Sequence, residues 1–66
     1  VTDPQFGARL RRLVYETGLS VREFALFCDI SEYSLRSYMS GRSEPRLDRL
    51  RKIKAVLGCT WHDLLG

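Results

Sequence analysis

The sequence predicts an all-α fold of five short helices, and three observations lead to it. Apolar residues recur at spacings of three and four, the period of one helix face. No run alternates strictly between apolar and polar residues, as a half-buried strand would. Glycines and prolines break the chain into short pieces, and several pieces open on a Ser or Thr placed to cap a helix. A chain of 66 residues buries only about 60% of its unfolded surface. Its core must be simple, and helices with local contacts are the easiest way to build one. One compact domain spanning residues 1–66, without repeats or linkers, is the expected organisation.

The first helix opens at Asp3-Pro4, where Asp3 caps and Pro4 fits the first turn. Phe6, Leu10, Leu13 and Val14 form its apolar stripe, Arg9, Arg11, Arg12 and Glu16 cover the other side, and Gly18 stops it. The second opens at Ser20, which forms a capping box with Glu23. Phe24, Ala25, Phe27 and Cys28 are its expected buried face, and Asp29-Ile30-Ser31 breaks it. The third, Ser31 to Met39, starts with Ser31 as cap and turns Leu35 and Tyr38 inward. Glu32, Tyr33, Arg36, Ser37 and Ser40 remain outside, and Gly41 ends the helix. In the loop Arg42-Ser43-Glu44-Pro45-Arg46, Pro45 prevents the third helix from running on. The fourth helix, about Leu47 to Leu57, turns Leu47, Leu50, Ile53, Val56 and Leu57 inward, and Gly58 closes it. Thr60 caps the last helix with Asp63 at the capping-box position, and Trp61, Leu64 and Leu65 are its apolar residues.

Helices two and three, joined by a three-residue turn, have the form of a helix-turn-helix. In that motif the first helix braces against the DNA backbone and the second presents an exposed polar face to base edges in the major groove. The third helix meets the second demand, with a narrow inward stripe and a wide polar outer face. The capped start of helix two leaves free amides that favour a phosphate. The net charge is +3, from eleven Lys plus Arg against eight Asp plus Glu, and nine of the eleven cations are Arg. That balance suits a nucleic acid, and the planar Arg fork matches phosphate and guanine better than a Lys ammonium does.

Other function classes find little support. Cys28 and Cys59 stand apart, with no CxxC pair or Cys/His cluster, and read as two buried thiols in a reducing cytoplasm, with a single disulfide as the alternative. No stretch approaches the ~20 apolar residues of a membrane span, and the N-terminus has no apolar run of a signal peptide. His62 lacks carboxylate or Cys neighbours at ligand spacing and reads as a helix-end surface residue. The serines sit mostly at caps, and no Ser/His/Asp set is formed. No catalytic role, metal, cofactor or small-molecule ligand is expected.

One pattern spans nearly the whole chain. It runs Gly18-Leu19-Ser20, Glu23-Phe24-Ala25, Ile30-Ser31, Leu35, Gly41, Pro45, Leu47, Leu50, Ile53, Leu57-Gly58 and Leu64-Leu65. This pattern resembles the phage repressor and Cro class of DNA-binding domain, the XRE family. The resemblance implies a five-helix repressor-like domain, operator DNA as ligand and a two-fold homodimer. Carried over by position, it implies base contacts from Glu32, Tyr33 and Ser37. It implies phosphate contacts from Ser20 to Arg22 and from Arg42, Ser43 and Arg46, while Arg36 either pairs with Glu32 or reaches a phosphate.

Departures from the family pattern carry their own readings. Val21 stands where relatives often have a Gln that touches phosphate, and Arg22 substitutes as a charge. Asp29 stands where the turn usually has Gly, and Asp tolerates a left-handed backbone at modest cost. Val14 and Met39 occupy the positions of a common Arg–Glu pair, and an apolar pair can replace a buried ion pair at little cost. Lys54 replaces a common Ala, its stem covering the core edge while its ammonium stays wet. Glu32 has two readings, an acceptor for a cytosine amino group and a helix-start acid favoured by the dipole or paired with Arg36. Tyr33 is either a base or sugar-phosphate contact, or a protein contact or partly buried ring. Trp61 is either a dimer anchor or a core filler. Of the run Arg46, Arg49, Arg51, Lys52 and Lys54, only the first members are expected near DNA.

The expected function is therefore sequence-specific binding of double-stranded DNA in a bacterial cytoplasm, as a transcriptional repressor of phage or bacterial kind. The alternative keeps the fold but makes it a protein-binding module, an antitoxin or adaptor, anchored by Tyr33, Tyr38 or Trp61. Val21 and Glu32 motivate that alternative, because both weaken the usual DNA contacts.

Overall fold

In the computed structural model, which describes residues 4–66, five helices follow one another: α1 (Phe6–Glu16), α2 (Val21–Cys28), α3 (Glu32–Ser40), α4 (Leu47–Leu57) and α5 (Trp61–Leu65). There is no strand among the described residues. The proposed Asp3 cap lies outside them. Gln5 is the N-cap of α1 and makes no side-chain capping bond.

Both capping boxes form. The Ser20 hydroxyl accepts from the Glu23 amide at 3.1 Å, and the Glu23 carboxylate accepts from the Ser20 amide at 2.9 Å. Thr60 and Asp63 repeat the arrangement at 3.0 and 3.2 Å. Ser31 caps α3 by accepting from the Ser34 amide at 3.0 Å. Such side-chain oxygens satisfy amides that have no partner in the first turn. The turns before and after α3 both use the left-handed region. Asp29 takes φ 58° in the turn between α2 and α3, and Gly41 takes φ 82° after α3. At each, the next amide reaches back to a carbonyl one turn earlier, Ile30 to Ala25 at 3.0 Å and Arg42 to Ser37 at 3.0 Å. This closure satisfies the last carbonyls of the helix and ends it sharply.

The core consists of Phe6, Leu10, Val14, Phe24, Ala25, Cys28, Leu35, Tyr38, Met39, Leu50, Ile53 and Leu64. α1 packs on α3 and α5, and α2 packs on α3 and α4, so α3 rests between α1 and α2. Val14 and Met39 are both buried, and no charged side chain is buried among the described residues. Gly7 marks the close approach of α1 to α3: a Cβ there would lie 2.7 Å from the Met39 carbonyl oxygen. Two residues further along α1, the Arg9 guanidinium donates to the Leu64 carbonyl of α5 at 3.5 Å.

Two expected core residues are not in the core. Phe27 is 66% exposed and Leu47 57% exposed. In α2 the buried face is Phe24, Ala25 and Cys28 with Val21 half-buried, so residues 22, 23, 26 and 27 share the solvent face and Phe27 lies with Leu26 above Glu23. Leu47 is the first residue of α4, where the helix starts beyond the edge of the core. Cys28 is buried, whereas Cys59 is only half-buried, and both are free thiols. Burial pushes the Cys28 thiol up to about 11, against a smaller opposing effect of Lys52.

Candidate nucleic-acid interface

The outer face of α3 is polar because its inner face is committed. Leu35, Tyr38 and Met39 are buried, which leaves positions 33, 36, 37 and 40 on the other side of the helix. Tyr33, Arg36, Ser37 and Ser40 of α3 join Arg42 to line a shallow concavity of about 280 Å³. Tyr33 is 76% exposed, which removes the reading of a partly buried ring. Its phenol is available to whatever meets this face.

Glu32 and Arg36 form an ion pair along the helix surface. The Arg36 Nε and Nη2 both lie 2.8 Å from Glu32 Oε2. The pair is exposed, so it contributes little to stability and breaks readily for a competing partner. It also neutralises the one acid at the front of α3, and Glu32 sits in the first turn, where the helix dipole favours it.

The loop after α3 is fastened to that face. Arg42 and Ser43 donate backbone amides to the Ser37 carbonyl at 3.0 and 3.5 Å. The Ser37 and Ser43 hydroxyls are 2.8 Å apart and share a hydrogen bond. Arg42 therefore leaves a backbone locked to the last turn of α3, and Ser37 and Ser43 act together. Pro45 is buried and holds the far side of the loop. Arg46, the N-cap of α4, lines an adjacent depression with Ser43, Glu44, Asp48 and Arg49.

At the start of α2 the capping box already uses the Ser20 and Glu23 amides. Val21 is half-buried and packs against the core, while Arg22 is exposed. The two hydrogen bonds from Ser20, the backbone one being the larger cause, hold the Glu23 carboxyl below its ordinary value. The turn contributes one weak tie, Asp29 to Lys52 of α4 at 3.6 Å, between exposed groups.

Trp61 lies apart from this face, on α5. It is 38% exposed and outside the buried core, so it does not act as a core filler. Lys54 is half-buried, and its ammonium sits 5.3 Å from the centre of the Trp61 ring, a cation–π contact. His62 and Asp63 are exposed, and the Asp63 carboxylate is turned to the Thr60 amide. No cluster of three metal-binding side chains occurs among the described residues. No helix among them is long and apolar enough to cross a membrane.

Sequence reasoning passed over two features of this surface. Arg49 of α4 donates to the Tyr38 hydroxyl at 2.9 Å, a contact that depends on how α3 and α4 approach each other. Leu26 is 73% exposed beside Phe27, which leaves an apolar pair on the solvent face of α2.

The five-helix order, the left-handed turn between α2 and α3, and the polar outer face of α3 together define a helix-turn-helix domain. The family model for the helix-turn-helix domain matches residues 5–65, and the chain belongs to that family. Over 57 residues it is 39% identical to the HTH-type transcriptional regulator DdrOP3 of Deinococcus deserti, covering 86% of this chain and 44% of that protein. The chain thus spans less than half the length of that relative. No solved structure matches it.

Proposed function

We propose that the chain is a sequence-specific double-stranded DNA-binding domain of a transcriptional repressor, with α3 in the major groove. The observation that carries this reading is the outer face of α3, where Tyr33, Arg36, Ser37 and Ser40 stand exposed or half-exposed beside a loop fastened to it. Its membership of the helix-turn-helix family and the name of its relative point the same way. Glu32, Tyr33 and Ser37 face base edges in this reading. Arg42, Ser43 and Arg46 grip the backbone after α3, and Ser20 and Arg22 grip it at the start of α2. Arg36 exchanges Glu32 for a phosphate. A homodimer, with Trp61 as an anchor in its contact, would read two half-sites about one helical turn apart. The protein would act in the cytoplasm, and residues 1–66 would form one folding unit.

Selection of bound duplexes from a random library tests the reading. An enriched motif supports it. Arg42→Ala should then weaken binding to every sequence, and Tyr33→Ala or Ser37→Ala should change preference among duplexes. The absence of any enriched sequence, together with no binding to mixed duplex at low salt, contradicts it, because even non-specific affinity should appear there.

The second reading is a protein-binding module on the same fold. The exposed Leu26 and Phe27 favour it, since large apolar side chains on a small domain mark contact surfaces. Failure to bind duplex at low salt would select it.

A further inference from the structure

Arg49 projects from the exposed side of α4, yet its guanidinium is committed to α3. Nη1 donates to the Tyr38 hydroxyl at 2.9 Å and, at 3.4 Å, to the Ser34 hydroxyl. Ser34 and Tyr38 are four residues apart, so they share one face of α3 and a single guanidinium spans a full turn of it. The Ser34 hydroxyl also accepts from the Ser31 hydroxyl at 2.9 Å, which links Arg49 to the N-cap of α3. Tyr38 is suited to this double role. Its ring is 6% exposed and belongs to the core, while its hydroxyl emerges at the edge and finds a partner.

The packing gives this tie its importance. α3 rests on α1 and α2, and α4 rests on α2. The contacts from Arg49 join α3 to α4 directly. They resist rolling of α3 about its own axis. Tyr33 and Ser37 each lie one residue before a tethered position, so a roll of α3 displaces both.

We propose that Arg49 is a positioning residue for the reading helix. Through Tyr38 and Ser34 it sets the rotation of α3, and with it the sequence preference of the domain. This inference rests on the DNA-binding reading above. A guanidinium in this place has one rival use, a direct phosphate contact alongside Arg46, which lines the same depression together with Asp48 and Glu44. The two roles differ in what they change. A phosphate contact supplies affinity for all sequences and a share of the salt dependence. A positioning contact alters discrimination between sequences and leaves both of those in place.

The test uses Tyr38→Phe, which keeps the core ring and every charge, and Arg49→Lys, which keeps the charge but not the planar fork. Anisotropy titrations with a library-selected duplex and a mixed-sequence duplex, over a range of salt, give the specificity ratio and the salt slope. Each variant should lower the ratio by about fivefold, the fold-change that matches the net worth of one typical intramolecular hydrogen bond. The double variant should be no worse than Arg49→Lys alone, because Tyr38→Phe removes a contact that Arg49→Lys already removes. Affinity for mixed duplex and the salt slope should stay unchanged.

Unchanged ratios in both single variants would overturn the proposal. So would an Arg49→Ala variant that keeps the ratio but loses about 0.9 of the salt slope, the mark of one phosphate contact. Hydrogen exchange in the free protein provides an arm that needs no DNA. The amides of Leu35 to Met39 should exchange faster in Tyr38→Phe and Arg49→Lys, with those of α1 unchanged; equal exchange would refute the tether. Should the unmodified protein bind no duplex, the DNA reading fails, and the exchange arm still decides whether Arg49 holds α3.

Discussion

Gly7→Ala sets two physical effects of opposite sign against each other. Ala favours a helix over Gly by about 1 kcal/mol in a helix interior, and by less at position 7, the second residue of α1. Propensity alone therefore makes the substitution stabilising. Packing opposes it. The added Cβ would lie 2.7 Å from the Met39 carbonyl oxygen, 3.1 Å from that of Tyr38 and 3.2 Å from the Met39 carbonyl carbon. All three are backbone atoms in the last turns of α3 and cannot rotate away. Overpacking of this kind costs about 1–3 kcal/mol, so the clash wins and a net loss of about 1–2 kcal/mol is expected. In a domain of this size that lowers Tm by about 5–15 °C. Thermal unfolding followed by circular dichroism measures it. Ala8→Gly at the exposed neighbouring position isolates the propensity effect. If Gly7→Ala melts at or above the parent temperature, α1 and α3 are not in backbone contact there and the packing argument fails. The consequence reaches the site, because the displaced turn of α3 carries Ser37, Ser40 and the anchor of Arg42.

Other outcomes follow from the same structure. Phe27→Gln should change stability by less than about 0.5 kcal/mol, as exposed positions do, whereas Phe24→Ala should cost about 3–5 kcal/mol; a large loss at Phe27 would put it back in the core. The carboxyls of Glu23 and Asp63 are both held below their ordinary values, chiefly by the backbone amides of Ser20 and Thr60. Their contribution is therefore complete above the ordinary values of 4.5 and 3.8 and is lost as pH falls through the lowered ones. A Glu23→Gln, Asp63→Asn double variant should show a flatter fall of Tm with acid than the parent, and an identical fall would contradict the capping boxes. Cys59 should react with a thiol reagent at pH 8 well before Cys28, which is buried and has its thiol pushed up to about 11; equal rates would show that Cys28 is not enclosed in the core. Arg42→Ala should flatten the salt dependence of duplex binding by about 0.9 in log–log slope, and an unchanged slope would remove Arg42 from the phosphate contacts.

The elements that were legible in the sequence are those whose signals are local. Ser20 with Glu23 and Thr60 with Asp63 specify helix starts through bonds that span three residues, and both form. Asp29 could be assigned a left-handed backbone from its residue type and its place in a three-residue turn. The Glu32–Arg36 pair follows from the helical period alone. What escaped depends on neighbours distant in the chain. The C-terminal half of α2, Phe24 to Cys28, is apolar throughout, so periodicity could not tell Phe27 from Phe24. Only the positions of α3 and α4 settle which ring is covered. Gly7 looks like an ordinary helix-weakening glycine until α3 is seen against it. Arg49 looks like one more cation on a solvated face, because its partners lie on α3 and are reached only across the loop. The polar face of α3 was therefore readable residue by residue, while the contacts that hold it at one angle were not.

Amide and side-chain shift mapping on labelled protein, titrated with a library-selected duplex, tests the central claim most directly. The account predicts the largest perturbations at Tyr33, Arg36, Ser37 and Ser40 of α3 and through Arg42 to Arg46, with smaller ones at Ser20 to Arg22. The solvent face of α1 should remain unmoved. Perturbations centred on Leu26 and Phe27, with the outer face of α3 unchanged at saturation, would contradict it.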